Sequence, residues 1–207
     1  MPVDSVKRVM NHLDPVARLA NRFAMMRHGQ SKANAGGIIV SRIETDRLGD
    51  YGLTELGRQQ ALAAVRAADL PAATVICSSD FSRARETAEI VRAHLGAPEI
   101  VFAEPLRERC FGDWEGSPAT NYAHVWTADE GGTGQDANVE PATAVLDRTT
   151  ALIVELERRY SGRDILLVSH GDTLQILQAG FQRMDPAKHR SVPQLATAEI
   201  RPLRLAP

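Results

Sequence analysis

Short apolar runs recur along the chain, separated by longer segments in which apolar residues return every three or four positions. The apolar runs predict buried strands, and the helical spacing predicts amphipathic helices. Three runs are the clearest: residues 22–26 (RFAMM), 74–77 (TVIC) and 164–169 (DILLVS). Two further stretches, 99–103 and 198–203, have the composition of extended chain.

Four helices are predicted from apolar stripes and end signals. The first follows Thr54, a residue type that caps helix N-termini, and ends before residues 70–71 (Leu-Pro). The second follows candidate caps at residues 78–80 and ends at Gly96. The third begins at Pro141 and stops at residues 161–162 (Ser-Gly), and the fourth begins near Thr173.

Three other segments carry weaker patterns. Within residues 1–21, apolar positions on one helical face predict a short helix packed on the domain rather than a targeting peptide: Val6, Met10, Leu13, Val16 and Leu19. Residues 31–51 show no clear period and are predicted to form a long loop. Residues 117–138 are polar and glycine-containing, and are predicted to be an irregular surface segment.

Strands that alternate with amphipathic helices predict an α/β protein, a three-layer α/β/α sandwich around a mostly parallel sheet. With 207 residues, 43% hydrophobic and 24% charged, the chain fits one domain spanning residues 1–207, with residues 1–21 as an N-terminal extension. The formal charge of -2 argues against nucleic-acid binding. No run is long and apolar enough to span a membrane, so the expected location is the cytoplasm.

The two strongest strands each run directly into a His-Gly pair, at His28 and His170. In open α/β sheets, ligands bind beyond the carboxyl ends of the strands, so both histidines are expected at the functional edge. Arg27 precedes His28, and Arg83 lies in the first turn of the helix after residues 74–77, where free backbone N–H groups favour anions. Arg85 is expected to form a surface pair with Glu89.

Four segments, in this order, resemble motifs of the histidine phosphatase superfamily, which includes the cofactor-dependent phosphoglycerate mutases. They are RHGQSKAN at 27–34, SSDFSRARETA at 78–88, LRERCFGDWEG at 106–116 and VSHGDTLQ at 168–175. The resemblance covers residues 22 to about 178. It implies a phosphoglycerate mutase-like fold and metal-independent phosphoryl transfer with no cofactor.

The resemblance also implies roles for individual residues. His28 is the expected nucleophile that becomes a phosphohistidine, and Glu108 is the expected proton donor. Arg27, Arg83 and His170 are expected to surround the phosphoryl group. Four residues are expected to contact the substrate: Gln30, Ser31, Asn34 and Gly171. The chemistry is coherent, because a neutral imidazole is nucleophilic and two guanidiniums stabilise the transferring phosphoryl group.

Some alternatives stay open at this stage. Asp113 and Glu115 are rival proton donors, and Glu108 could instead pair with Arg107 or Arg109. The chain departs from the common family pattern at Gln30, where Glu is frequent, and at residues 137–141, where many members have Gly-Glu-Ser. Both differences concern specificity more than the core chemistry.

We therefore expect a small phosphatase that hydrolyses phosphate monoesters of a small phosphorylated substrate. A mutase-type phosphotransferase and a weakly active phospho-ligand binding module are the alternatives. Only 61 residues separate Glu108 from His170, which leaves little room for a large insertion over the site. The candidate lid is residues 117–138, in which Trp126 is expected to be a packing residue. The substrate's identity and the oligomeric state are not encoded in these patterns.

Overall fold

The computed structural model describes residues 10–133 and 137–207. Its centre is a five-stranded sheet in the order β3-β2-β4-β1-β5. The strands are β1 Arg22–Arg27, β2 Val75–Ser78, β3 Ile100–Phe102, β4 Asp164–Ser169 and β5 Ile200–Leu203. The first four are parallel, and β5 lies antiparallel beside β1. The prediction of a mostly parallel sheet is confirmed.

The described residues form seven α-helices in addition to the sheet: α1 Lys32–Gly36, α2 Ile43–Leu48, α3 Glu55–Ala67, α4 Ser82–Leu95, α5 Tyr122–Gly131, α6 Ala142–Arg159 and α7 Gly171–Phe181. Adjacent residues of β4 face opposite sides of the sheet. Ile165 and Leu167 pack with α6 and α7, whereas Leu166 and Val168 pack with α3 and α4. The two apolar clusters on either side of one sheet confirm the three-layer sandwich.

The helix end signals were correct except at the start of α4. Thr54 accepts a hydrogen bond from the Gly57 amide, and Gly96 ends α4 in the left-handed conformation at φ 67°. Residues 78–80, however, do not cap α4, which begins at Ser82 after Phe81. The side chain of Asp46 on α2 accepts from the Ser82 amide at 2.7 Å instead. A residue distant in sequence thus supplies the cap, which a local pattern cannot reveal.

Residues 31–51 contain α1 and α2, so the predicted long loop was wrong. Ser31 and Asn34 form a reciprocal capping box, each side chain bonded to the other's backbone amide. Helices of five and six residues are too short to show a helical period. Local capping and tertiary contacts define them.

The surface segment predicted at 117–138 instead contains α5. Tyr122, Val125, Trp126 and Asp129 recur at helical spacing, and Val125 and Asp129 are buried. The polar flanks of this segment obscured a short periodic core. Residues 134–136 of the segment lie outside the described residues.

The helix predicted within residues 1–21 is absent from its described part, and Val6 lies outside the described residues. From Met10 onward the chain forms turns, and the Asn11 side chain accepts a hydrogen bond from the Leu13 amide. Arg183 donates to three carbonyl groups that a helix would have used: those of Leu13, Asp14 and Val16. Leu13 is fully buried in the core, so the expected packing on the domain is confirmed for this residue.

Two glycines bring the end of β1 against the start of α3. A β-carbon at Gly29 would lie 2.3 Å from the carbonyl oxygen of Gly57, and one at Gly57 would lie 2.1 Å from the carbonyl oxygen of Gln30. No side chain fits at either position without moving the backbone. This close approach fixes the loop that follows His28.

Candidate active site

The carboxyl ends of the central strands border a cavity of about 290 Å³, which we call the active-site cavity. Eight of the nine site residues expected from the sequence line it: Arg27, His28, Gln30, Ser31, Asn34, Arg83, Glu108 and Gly171. The ninth, His170, is buried directly behind His28, with the ring centroids 5.2 Å apart. The structure therefore brings all nine residues together.

Hydrogen bonds at both ring nitrogens orient the imidazole of His28. Nδ1 lies 2.7 Å from the carbonyl oxygen of Gly29, and because that oxygen only accepts, Nδ1 carries the proton. Nε2 is then unprotonated, and its lone pair accepts a hydrogen bond from Arg83 Nε at 3.1 Å. Burial, followed by the charges of Arg83 and Arg27, lowers the pKa of His28 well below its ordinary value. His28 is thus a neutral imidazole whose lone pair is on Nε2.

Arg83 is held in place by three acceptors. Besides His28, its guanidinium donates to the carbonyl oxygen of Val40 at 2.9 Å and contacts a carboxylate oxygen of Asp46 at 3.5 Å. Arg83 and Asp46 are both buried. Burial lowers the pKa of Arg83, and the nearby carboxylates of Glu108 and Asp46 oppose that shift. Asp46 escaped the sequence analysis because it lies in the segment predicted to be a loop.

Arg27 lies on the other side of His28. One of its terminal nitrogens donates to the carbonyl oxygen of Leu195 at 2.9 Å, while its buried Nε has no partner among the described residues. A β-carbon at Gly171 would lie 3.5 Å from the Arg27 guanidinium carbon. Glycine at this position leaves space beside the guanidinium. Arg27 therefore retains donor capacity at the cavity wall.

His170 contacts Ser79 through Nε2, which lies 2.8 Å from the hydroxyl oxygen. Its buried Nδ1 has no partner within the described chain. Burial, then the charge of Arg83, lowers the pKa of His170 well below its ordinary value. The site thus contains a second neutral imidazole with an unused polar atom.

The carboxyl group of Glu108 accepts three hydrogen bonds at one oxygen, Oε1. The donors are the Arg109 amide at 3.0 Å, the Thr173 amide at 3.2 Å and the Thr173 hydroxyl at 3.1 Å. Burial and the neighbouring charge of Asp172 raise the pKa of Glu108, against the opposing effect of Arg83. A carboxyl group with a raised pKa at a cavity wall is suited to proton transfer.

The rivals of Glu108 occupy other positions. Asp113 is exposed and accepts hydrogen bonds from Asn138, and Glu115 accepts from the amide of Ser41 at 2.9 Å. Neither carboxylate lines the active-site cavity. Arg107 pairs with Asp80 and Glu104, and Arg109 pairs with Asp129 and Asp172, so the suggested pairing of Glu108 with either arginine was wrong.

Another expected ion pair is also absent. Arg85 stacks on the ring of Phe102, with its guanidinium carbon 4.0 Å from the centroid. Glu89 pairs with Arg92 at 2.9 Å. The spacing of Arg85 and Glu89 permitted a contact, but each side chain has another neighbour.

The cavity residues that the sequence analysis missed include Tyr122, Trp126, Asp172 and Arg190. Trp126 was expected to be a packing residue, yet it lines the cavity and stacks on Tyr122 at a 5.4 Å centroid distance. Its indole Nε1 donates to Asp172 at 2.9 Å. The helical spacing of Tyr122 and Trp126 was a usable signal. Arg190 had none, because it follows α7 outside every motif.

Within residues 10–133 and 137–207, no group of three or more His, Cys, Asp or Glu side chains is arranged to hold a metal ion. No helix in that part of the chain combines the length and apolar character needed to cross a bilayer.

Comparison with known proteins decides the family. The family model of the histidine phosphatase superfamily, branch 1, matches residues 23–207. The chain belongs to this superfamily. Among curated relatives, glucosyl-3-phosphoglycerate phosphatase of Mycolicibacterium vanbaalenii is 32% identical over 176 residues, which cover 77% of this chain and 73% of the relative. Metal-independent phosphoserine phosphatase of Arabidopsis thaliana is 26% identical over 161 residues, covering 74% and 65%.

Solved structures of related proteins have the same fold as this histidine phosphatase. The native structure of a mycobacterial glucosyl-3-phosphoglycerate phosphatase superposes with a TM-score of 0.73 at 27% identity, covering 87% of this chain and 88% of that one. The protein is thus a phosphatase with the histidine phosphatase fold, as the sequence predicted. Its relatives act on small phosphorylated substrates.

Proposed function

We propose that this histidine phosphatase hydrolyses phosphate monoesters without a metal ion, through a phosphohistidine at His28, with Glu108 as the proton donor. The observation that carries the proposal is the shared cavity. It places the Nε2 lone pair of a neutral imidazole and a carboxyl group of raised pKa around one small volume. A binding module would need neither group.

In the first step, His28 Nε2 attacks phosphorus and the bond from phosphorus to the ester oxygen breaks. Glu108 gives its proton to that oxygen, so an alcohol leaves rather than an alkoxide. In the second step, the Glu108 carboxylate takes a proton from water while the water oxygen attacks phosphorus. The bond from phosphorus to Nε2 breaks, and inorganic phosphate, the neutral imidazole and protonated Glu108 are restored.

Fixed donors supply the charge stabilisation in this proposal. Arg83 and Arg27 are permanently charged and flank His28, so the phosphoryl oxygens meet two guanidiniums. When the Ser79 hydroxyl donates to Nε2 of His170, the ring proton lies on Nδ1, which can then donate to a phosphoryl oxygen. The proposal assigns the neutralising role of a metal ion to these side chains.

The proposed substrate is small. A cavity of about 290 Å³ lies just below the range of roughly 300–1,000 Å³ that is typical of ligand pockets. The relatives named for glucosyl-3-phosphoglycerate and phosphoserine support a low-molecular-weight phosphate ester. Gln30, Ser31, Asn34 and Gly171 are proposed to contact it, since all four line the cavity.

A rapid-quench experiment with a substrate labelled in its phosphate tests the intermediate. We expect an acid-labile, base-stable adduct that forms and decays fast enough to account for turnover. His28→Ala should form no adduct and lose turnover, whereas the exposed, distant His94→Ala should retain both. Full turnover by His28→Ala, or turnover faster than adduct formation, would contradict the proposal.

The competing phosphotransfer reaction needs a separate measurement. The candidate lid, residues 117–138, contains the helix α5, so an irregular lid that admits water is not an argument for hydrolysis over transfer. We keep hydrolysis as the proposed outcome because the relatives above are named phosphatases. With 3-phosphoglycerate and a 2,3-bisphosphoglycerate primer, phosphate release should exceed formation of 2-phosphoglycerate. The reverse ratio would favour the mutase.

A further inference from the structure

Arg190 is a cation of the active-site cavity that the proposed reaction does not use. It follows α7 in the 3-10 turn Pro186–Ser191 and lines the cavity together with Gln194 and Thr197. Its guanidinium carbon lies 3.6 Å from the ring centroid of Trp126, so the planar group is stacked on the indole. The stacking fixes the plane of the guanidinium and leaves its N–H edge for hydrogen bonding.

The hydrogen-bond partners of Arg190 are neutral. Its guanidinium donates to the side-chain oxygen of Gln175 and, at 3.5 Å, to that of Gln194. In the part of the chain that the structure describes, no carboxylate oxygen lies within 4.0 Å of a guanidinium nitrogen of Arg190, so Arg190 forms no ion pair there. The charge of Arg190 is therefore balanced only at longer range, by Asp172 and Glu130, and no carboxylate is in direct contact with its guanidinium in the described residues.

Asp172 is an acidic side chain that lines the same cavity, and both of its oxygens are bound by other side chains. One oxygen accepts from Trp126 Nε1 and His189 Nε2, and the other contacts Arg109 at 3.2 Å. Burial raises the pKa of Asp172, but the hydrogen bond and charge of His189, together with Arg109, outweigh burial and lower the pKa overall. Asp172 thus holds the indole that supports Arg190 and acts on Arg190 itself only through its charge.

The surroundings of Arg190 favour the arrival of an anion. Burial lowers the pKa of Arg190, and the positive charge of Arg27 adds to that shift, against the opposing charges of Asp172 and Glu130. Two guanidiniums that repel each other across one cavity are both relieved by an anionic group placed between them. Arg27 is assigned to the phosphoryl group in the proposed function, which leaves Arg190 for a second charge on the substrate.

We propose that Arg190, supported by Trp126, binds a carboxylate of the substrate, so that the enzyme prefers phosphate esters that carry a carboxylate. This inference rests on the proposed function for the position of the phosphoryl group. A carboxylate is planar and matches the guanidinium edge with two hydrogen bonds. A carboxylate is also smaller than a second phosphate group, which suits a cavity of about 290 Å³ that must already hold one phosphoryl group.

The test compares 3-phosphoglycerate with glycerol 3-phosphate, which has a hydroxymethyl group in place of the carboxylate. For the wild type, kcat/KM should favour the carboxylate ester by on the order of ten- to a hundred-fold, the value of a charge-assisted hydrogen bond. Arg190→Gln should lose most of that preference, because its kcat/KM should fall far more for 3-phosphoglycerate than for glycerol 3-phosphate, and Arg190→Lys should retain part of it.

Arg85→Gln is the matched control, because Arg85 is also stacked on an aromatic ring, Phe102, but lies outside the cavity. It should keep the full preference. An equal loss of activity toward both esters in Arg190→Gln would show that Arg190 only supports α5, and would overturn the inference. A wild type with no preference for the carboxylate ester would also overturn it. So would a stronger preference, lost in Arg190→Gln, for fructose 1,6-bisphosphate over fructose 6-phosphate, because Arg190 would then bind a second phosphate group.

Binding measurements separate this inference from the proposed chemistry. In a His28→Ala background, calorimetry should show tighter binding of 3-phosphoglycerate than of glycerol 3-phosphate, and Arg190→Gln should remove the difference. If the rapid-quench experiment finds no phosphohistidine but this difference persists, the mechanism fails and the carboxylate site stands. If the intermediate forms and the difference is absent, the carboxylate site fails alone.

Discussion

Replacement of Glu108 by Gln gives a sharp test of the proton donor, because the change alters the proton and little else. All three hydrogen bonds accepted by the carboxyl group fall on Oε1, from the Arg109 amide and from the amide and hydroxyl of Thr173. An amide oxygen at the same place accepts the same three bonds. The variant should therefore fold, and its loss of activity should report the missing proton.

The size of that loss should depend on the leaving group. A positioned general acid contributes about 10²- to 10⁴-fold when the departing oxygen is strongly basic. Glu108→Gln should slow an alkyl phosphate by about that factor and p-nitrophenyl phosphate by less than about 10-fold, since nitrophenolate leaves without a proton. The assay is kcat/KM over a series of phosphate esters of increasing leaving-group pKa. An equal loss across the series would refute the reasoning.

The pH dependence supplies a second readout from the same variant. Because the pKa of Glu108 is raised in the folded protein, the folded state holds this proton at a pH where the unfolded chain has released it. Stability therefore falls as pH rises from the unfolded to the folded pKa and stays lower above it. Glu108→Gln lacks this loss, so its Tm at neutral pH should equal or exceed that of the wild type.

The two rival carboxylates are matched controls. Asp113→Asn changes an exposed group outside the cavity and should leave kcat/KM unchanged for every ester. Glu115→Gln alters the side chain that holds the Ser41 amide, so any loss it causes should be equal for alkyl and aryl esters. A loss specific to alkyl esters in either control would move the proton donor to that residue.

Three further predictions address charge, packing and metal dependence. Arg109→Met removes the guanidinium that pairs with two buried carboxylates and should lower the free energy of unfolding by about 3–5 kcal/mol, while Arg92→Met at an exposed pair should cost under about 1 kcal/mol in urea denaturation. Gly29→Ala, whose β-carbon would lie 2.3 Å from the Gly57 carbonyl oxygen, should lose most activity even where circular dichroism shows a folded chain. EDTA should leave kcat unchanged, and a loss restored by one divalent cation would refute metal independence.

Sequence patterns were most informative where a residue's environment depends on its immediate neighbours. The runs that became β1, β2 and β4 are buried on both faces of the sheet, so they are apolar throughout. His28 and His170 follow two of those strands, and their positions at the functional edge follow from the topology. For the same reason Thr54 and Gly96 marked helix ends correctly.

Patterns failed where tertiary contacts decide the structure. The cap of α4 is Asp46 from a separate helix, and the turns after Met10 are held by Arg183 near the other end of the chain. Trp126 and Arg190 come together only because α5 and the 3-10 turn after α7 pack over one cavity. A single sequence contains no periodicity that reports such a contact.

The hydrogen bond from Arg83 to His28 has a consequence for chemical selectivity. In the proposed mechanism, the lone pair that attacks phosphorus is the one that accepts the hydrogen bond from Arg83 Nε. An uncharged electrophile that reaches the cavity meets an imidazole whose reactive orbital is already engaged. Only a ligand with several anionic oxygens offers the guanidinium replacement acceptors and so uncovers the nitrogen. In this proposal, Arg83 both recognises the phosphoryl group and protects the nucleophile from adventitious acylation or alkylation, so that the enzyme becomes reactive only in response to its own class of substrate.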